Sequence, residues 1–581
     1  MTDTTIGEGR TTAATTTAPA GTPKSRRTFD WTMLVWLLFA AILIVIVVNP
    51  IFRLVWESIT TEAGGFTLDN YVKAYSRTRY WQALLNTVMM GAGTALLAAL
   101  LAVPLAWACV RTDMPGRGFV RLSVLAAFII PPYLSAVGWV LLAGPNSGWL
   151  NKTWMWATGA SQGLFNIYTL TGLIVIMGLH LFFFIFVFTS SALELVSSEM
   201  EDAANVLGAG PMKTAFKITL PLIMPAILGG LIIIFLQSIA LFGVPAIIAI
   251  PARYPVVTTQ LTEFFSNNRV DLAAAYALPL LLITMTLLGA QRWMLARKGF
   301  TVVGGKGGER RIVKLGPWRW VMFGYALFVA ILSVFMPLIV LIQAAFSKAW
   351  GRGFALDNLT MRHVNFILFE HQGAVPALIR SILYAGTAAF AALALALVIA
   401  YIVRRNLLKG GQVLAFLCMA PFVIPGIILA IGFYAAYAPP PLALAGTALI
   451  IIVAFTTRLL PIAYQNASAG ISSIHVEMEE AVRILGGGRL MAVRRVVAPL
   501  LKRSLVGAWI LIFVPACQEL STAIFLSGPK NRVLSVLIFD FSEEGKFEQL
   551  SVLGGLLLII TVIIVAIGFR IVGRDFMLRR Q

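Results

Sequence analysis

The polar residues of this chain that are able to do chemistry fall into two sets. The first is a short acidic pattern written twice, Glu201-Asp202-Ala203-Ala204 leading to Gly208 and Glu479-Glu480-Ala481-Val482 leading to Gly486. The second consists of three isolated groups inside long apolar runs: His180, Arg458 and Glu519. No nucleophile, base and orienting acid fall together on one side of those runs, so the chain is not expected to be an enzyme. The duplicated pattern offers mechanical chemistry instead. From Leu193 to Lys217, charges, small residues and a central glycine predict two short helices with a bend at Gly208. Glu194, Glu199, Glu201 and Asp202 cluster near the positive end of the first helix dipole. Ala203 and Ala204 leave room for another protein's backbone. Thirteen residues past each glycine a proline, Pro221 or Pro499, opens the next apolar run, where a proline is well tolerated. A polar loop at the same place in two halves suggests two docking points for one symmetric partner. Two amphipathic loops lying on a membrane surface are the competing reading.

The elements that must position these loops are membrane helices. With 59% hydrophobic residues, 12% charged residues and a mean hydropathy of +0.87, the chain needs lipid as its solvent. Apolar runs of about 20 residues, enough to cross a hydrocarbon core, recur throughout. They predict spans at 31–52, 82–110, 119–143, 167–190, 218–248 and 269–295, then at 320–346, 376–403, 412–437, 443–466, 500–526 and 547–571. Cys109, Cys418 and Cys517 lie inside spans without a CxxC pair and read as packing residues. His180, His363, His371 and His475 have no ligand spacing, so no metal site is expected.

The two halves repeat. Phe128-Ile129-Ile130-Pro131 matches Phe422-Val423-Ile424-Pro425 at an offset of 294, and the docking loops match at 278. The difference lies in one outer loop, long and Trp-rich in the first half and short and Pro-rich in the second. Each repeat holds six spans, an even number, so the halves enter the membrane in the same orientation. The expected fold is all-α and polytopic, about twelve transmembrane helices in two parallel, pseudo-twofold-related repeats. The expected organisation is a disordered cytoplasmic tail at 1–30 and a first domain at 31–295 with its loop at 193–217. A basic, Gly-rich cytoplasmic linker at 296–319, a second domain at 320–571 with its loop at 471–495, and a tail at 572–581 follow. The linker contains no GxxxxGK[ST], which argues against a phosphate loop. About 30 of the 45 Lys and Arg fall on the side of the N-terminus, predicting both termini to be cytoplasmic. The net charge of +20 needs no nucleic acid to explain it.

The loops resemble the EAA loop of ABC-importer permeases, whose pattern is EAA, three residues, Gly, nine residues, Ile, one residue, Leu-Pro. The first copy reads Asp202-Ala203-Ala204, Gly208, Ile218, Leu220-Pro221, and the second Glu480-Ala481-Val482, Gly486, Val496, Ala498-Pro499. Over roughly residues 31–571 the chain resembles the fused, two-domain permeases of the ferric-iron uptake type, with thiamine, phosphonate and polyamine permeases as alternatives. That resemblance implies a type I importer pore in a bacterial inner membrane, served by a periplasmic solute-binding protein and driven by an ABC ATPase dimer. This chain would bind no cofactor; ATP and Mg would sit on the ATPase. Glu201, Asp202, Ala203, Ala204, Gly208, Glu479, Glu480, Ala481 and Gly486 would couple to that ATPase. His180 and Arg458, themselves 278 apart, either line the pathway or bond neighbouring helices. Glu519, expected in the outer part of the eleventh span, either lines the route of a cation or pairs with a basic residue. An ion-coupled secondary carrier is the reading from another class. It predicts broken helices or midplane charges and has no need of paired docking loops.

Overall fold

The computed structural model describes residues 31–61, 64–196, 198–297, 312–408 and 410–572. The expected tail at 1–30, residues 298–311 of the expected linker and all but Val572 of the C-terminal tail lie outside the described residues. Lipid offers the backbone no hydrogen-bond partner, so a chain this apolar must satisfy its amides within helices. Among the described residues ten straight helices are long and apolar enough to cross a membrane: Met33–Ser58, Thr78–Arg111, Leu170–Leu195, Ala215–Ala240, Val270–Gln291, Trp318–Ala345, Ala374–Arg404, Ala448–Ser472, Val493–Gln518 and Phe547–Gly568. Two further segments, the third of each half, are broken. Arg117–Ile129 and Pro132–Ala143 meet at 99°, and Gly411–Phe422 and Gly426–Tyr437 meet at 110°. The continuous third spans expected from the sequence are thus corrected to bent pairs. A residue before proline is driven out of the helical region, and Ile130 accordingly has ψ 125°.

Proline acts differently elsewhere. Four spans contain a five-residue π-helical turn, at Ile44–Val48, Ala215–Thr219, Ile331–Phe335 and Val493–Val497, and each ends two residues before a proline: Pro50, Pro221, Pro337 and Pro499. A proline lacks the N–H for its turn and its ring clashes with the carbonyl four residues back; a widened turn relieves both and lets the helix run on. Pro221 and Pro499 therefore do not open their spans. They sit inside continuous helical runs that begin at Pro211 and Arg489, so the second arm of each docking loop is one rigid rod with the span behind it. The expected far ends are also shorter. The fifth span stops at Ala240 and the eleventh at Gln518, each followed by a separate short helix, Gly243–Ala249 or Ala523–Leu526.

Each half packs its second, fourth and fifth spans together. Small residues allow the approach: Gly93 faces Ile174, Gly178 faces Leu97, and Ala385, Ala388, Ala389, Ala392 and Ala396 are fully buried in the eighth span. The halves also interlock. The first span packs against Gly426–Tyr437 of the second half, and the seventh against Pro132–Ala143 of the first. A Cβ on Gly432 would stand 2.6 Å from the Pro50 carbonyl oxygen, and one on Gly138 2.9 Å from Pro337 Cα. The Tyr437 hydroxyl donates to the carbonyl of Val45, inside the first π turn. The end of the linker is pinned too, with Val313 N–H donating to Arg111 O at 2.8 Å and Leu315 N–H to Asp113 Oδ1 at 2.8 Å.

Because the neighbour at Gly432 is backbone, it has little freedom to yield. Gly432→Ala is expected to cost about 1–3 kcal/mol and to lower the thermal midpoint of the detergent-solubilised protein. Gly555→Ala, where a Cβ meets open space, should leave the midpoint unchanged or raised.

Candidate functional site

Both loops build the same object. The first consists of helix Ser198–Val206, a turn at Gly208 with φ +80°, and helix Pro211–Thr214; the second of Val476–Ile484, Gly486 with φ +84°, and Arg489–Ala492. Ala209 N–H donates to Ala204 O and Gly487 N–H to Val482 O, each at 2.9 Å, closing the left-handed C-terminal turn that favours glycine. A Cβ on either glycine would meet open space, so the turn demands the dihedral and not the room. On the outer tip of each turn two large apolar side chains stand in solvent. Val206 and Leu207 are 88% and 86% exposed, and Ile484 and Leu485 are 85% and 87% exposed. The sequence reading missed these pairs because, in so apolar a chain, Val-Leu and Ile-Leu carry no signal until their exposure is known.

Glu201 and Glu479, expected to face the partner, point inward. Glu201 Oε2 lies 3.5 Å from Arg111 Nη1, and its Oε1 accepts from Thr219 Oγ1 at 2.7 Å. Arg111 Nη2 also donates to Leu193 O at 2.9 Å and Val196 O at 2.7 Å. In the second half Glu479 Oε1 lies 2.6 Å from Arg405 Nη2, its Oε2 accepts from the Tyr401 hydroxyl at 2.7 Å, and Arg405 Nη2 donates to Ile474 O at 3.1 Å. Both pairs are buried. They tie each docking helix to the inner end of the second span of its half, because a carboxylate buried beside a membrane bundle needs a cation and full hydrogen bonding. The arginines were legible as Arg111 and Arg405, 294 apart, the register of the third spans. Asp202, Ala203, Glu480 and Ala481 are exposed, as expected of a docking face, whereas Ala204 is buried against the protein.

The intramembrane residues converge on the broken third spans. A bend at this depth strands carbonyl groups that only protein can satisfy. Gln518 Nε2 donates to Ile129 O at 2.5 Å, and Arg458 Nη1 donates to Ile424 O at 2.6 Å. Glu519 is corrected from the eleventh span to the turn beyond it. Its Oε1 accepts from Thr522 N–H at 3.0 Å and Thr522 Oγ1 at 3.3 Å, capping Ala523–Leu526. Arg458 and Glu519 are brought together around Gly426, whose absent Cβ would lie 3.4 Å from Arg458 Nε and 3.4 Å from Glu519 Oε1. His180, the counterpart of Arg458, is half-buried and hydrogen-bonds to neither. A cavity between the halves is walled by Gln237, Thr284, Leu288, Phe422, Pro425 and Arg458. Among the described residues no three His, Cys, Asp or Glu stand close enough to hold a metal ion.

Residues 95–299 match the family described as binding-protein-dependent transport system inner membrane component. Over 479 residues the chain is 28% identical to the ferric transport system permease protein FbpB of Actinobacillus pleuropneumoniae, covering 80% of this chain and 66% of that protein. A putative ferric transport system permease protein FbpB 1 of Haemophilus influenzae is 28% identical over 442 residues, covering 73% of this chain and 66% of that one. The chain therefore spans just under two thirds of the length of these relatives. A bacterial alginate ABC transporter crystallised with an alginate-pentasaccharide-bound periplasmic protein aligns over 48% of this chain and 97% of its own, at 18% identity and a TM-score of 0.38.

The buried pair of the second loop gives a direct test. Arg405→Met leaves Glu479 buried and uncompensated, a change of about 3–5 kcal/mol, so backbone amides of 476–484 should exchange with deuterium much faster than in the wild type. Replacing both partners with methionine should restore most of the protection.

Proposed function

We propose that this chain, whose residues 95–299 match the inner membrane components of binding-protein-dependent transport systems, is the fused two-domain pore of an ATP-driven importer. In this reading a periplasmic binding protein delivers the solute and a separate ABC ATPase dimer supplies the work. The chain itself binds no cofactor, ATP and Mg residing on the ATPase. Its place is the bacterial inner membrane, with both termini in the cytoplasm. Ferric iron is the proposed cargo, supported by the likeness to the two ferric permeases. Thiamine, phosphonate and polyamine importers of similar layout are not favoured by that likeness.

The observation that carries the reading is the duplicated docking helix, with its apolar tip outward and its glutamate locked inward. Two exposed apolar pairs on one polar face suit two equivalent clefts of a symmetric dimer. When nucleotide draws the ATPases together, the docking helices are pulled toward each other. Because each is tied through Arg111 or Arg405 to its second span and runs as one rod into its fifth, the displacement reaches the bundle without being absorbed by a flexible joint. The pore then passes from inward-facing to outward-facing. One observation favours the ion-coupled carrier, namely the broken third spans at Pro131 and Pro425. That reading gives no role to the paired tips.

Changing Leu207 and Leu485 together to aspartate should weaken co-purification of the ATPase by roughly tenfold or more, as expected when buried apolar anchors are lost. Undiminished capture would remove the docking assignment. Gly208→Val and Gly486→Val meet no steric obstacle but must hold a β-branched residue at positive φ, a strain of about 1–2 kcal/mol. Each should retain ATP hydrolysis while lowering uptake per ATP; normal transport in both variants would reject the mechanism.

A further inference from the structure

A second cavity opens at the docking-loop end of the bundle, where the first arm of the broken third span meets the end of the linker. It measures about 220 Å³ and is lined by Cys109, Val110, Arg117, Gly118, Arg121 and Ile312. A water molecule needs only about 10–15 Å³ of such space, so a group with several oxygens fits. Cys109 and Val110 are buried, whereas Gly118 and Ile312 are exposed and leave the cavity open on one side. Both charged groups of the wall are cations. Arg117 donates through Nε to Met114 O at 3.2 Å, and among the described residues its two terminal nitrogens have neither a hydrogen bond nor an ion pair. Arg121 reaches Glu194 through one nitrogen at 3.7 Å, with the two side chains 33% and 36% exposed. So long and wet a contact holds a guanidinium weakly.

The fold does not require these arginines. The same corner is built twice: Gly116 and Gly410, 294 apart, precede the first arm of each broken span at φ +70° and +95°. Phe323 and Trp36, 287 apart, cover them, since a Cβ on Gly116 would stand 2.6 Å from Phe323 Cε2 and one on Gly410 3.8 Å from Trp36 Cζ2. At the offset of 294 the second half has Gly411 where the first has Arg117, and Ala415 where it has Arg121. That corner closes with no charge at either place.

The surroundings indicate which anion reaches the cations. Phe119 and Leu122, on the same helix, are exposed, and Phe119 stacks on the exposed Phe335 of the seventh span with ring centroids 6.0 Å apart. Trp318 and Trp320 stand exposed where that span begins. Apolar side chains exposed along a span face acyl chains, and tryptophans at its end mark the level of the headgroups. A basic pocket between spans at that level suits a lipid phosphate.

We propose that this cavity is an anionic-phospholipid site. Arg117 and Arg121 receive the phosphate oxygens of the headgroup, and the acyl chains lie along Phe119, Leu122 and Phe335. The lipid belongs to the leaflet on the docking-loop side, which is the cytoplasmic leaflet in the importer reading; the site itself does not depend on that reading. Its headgroup bridges the broken span and the linker end that Val313 pins to Arg111.

The test is native mass spectrometry of the purified full-length chain in detergent, without ATPase, titrated with phosphatidylglycerol or with phosphatidylcholine of the same acyl chains. Arg117→Gln/Arg121→Gln removes both cations, Arg117→Lys/Arg121→Lys keeps them, and Lys502→Gln/Arg503→Gln removes two exposed charges from the other half. The expected result is wild-type retention of phosphatidylglycerol in preference to phosphatidylcholine, a loss of roughly tenfold or more in the first variant, and retention within about threefold in the other two. Equal retention of the two lipids by the wild type overturns the proposal, and this comparison needs no variant to fold. Undiminished phosphatidylglycerol binding by Arg117→Gln/Arg121→Gln, or an equal loss in Lys502→Gln/Arg503→Gln, also overturns it. Displacement of the lipid by inorganic phosphate at equal concentration identifies a free-phosphate site and rejects the lipid. None of these outcomes bears on whether the docking loops engage an ATPase.

Discussion

The bends and widened turns within the spans answer to one constraint: inside lipid a backbone N–H or C=O has no partner but the protein itself. Before Pro50, Pro221, Pro337 and Pro499 the chain widens into a π turn and continues, whereas Pro104, Pro225, Pro279, Pro461 and Pro515 are carried inside α-helix. Where the chain bends outright, at Ile130-Pro131 and Ile424-Pro425, a side chain from another span supplies the donor. Continuous helical rods join the Gly208 and Gly486 loops to their spans, and the satisfied bends border the cavity between the halves.

The docking loops show how a small surface feature is given mechanical stiffness. Each presents an apolar pair at the tip of a glycine turn, and each is anchored from behind by a buried arginine and glutamate. Such a pair contributes little net stability, since the desolvation of both charges offsets their attraction. Its value lies in geometry, because a mismatched position leaves a charge buried alone. The helix is therefore held in one orientation relative to the second span, and the linker end at Val313 is pinned to that same inner corner.

Symmetry in the scaffold coexists with asymmetry in its chemistry. The π turns of the spans, the bends, the docking helices and the interlocked first spans all occur twice, at offsets of 278, 287 or 294. The polar groups around Gly426 occur once. Interlocking of each first span with the other half's broken helix makes the two halves a single mechanical unit and not two joined pores.

Composition and run length were enough to establish a helical membrane protein with twelve apolar segments, because the thickness of a hydrocarbon core sets a length that can be counted along the chain. The register of the repeat, the glycine turns and the exposed Asp202 and Glu480 were legible for the same reason: they depend on local periodicity and on dihedrals that few residues adopt. The bends of the third spans, the passage of helices through Pro221 and Pro499, and the inward rotation of Glu201 and Glu479 were decided only by tertiary structure. A proline reads alike at a break and at a widened turn, and a glutamate reads alike whether it meets solvent or an arginine 90 residues away in sequence. What distinguishes them is which partner the folded chain brings within reach, a long-range fact that neighbouring residues do not encode.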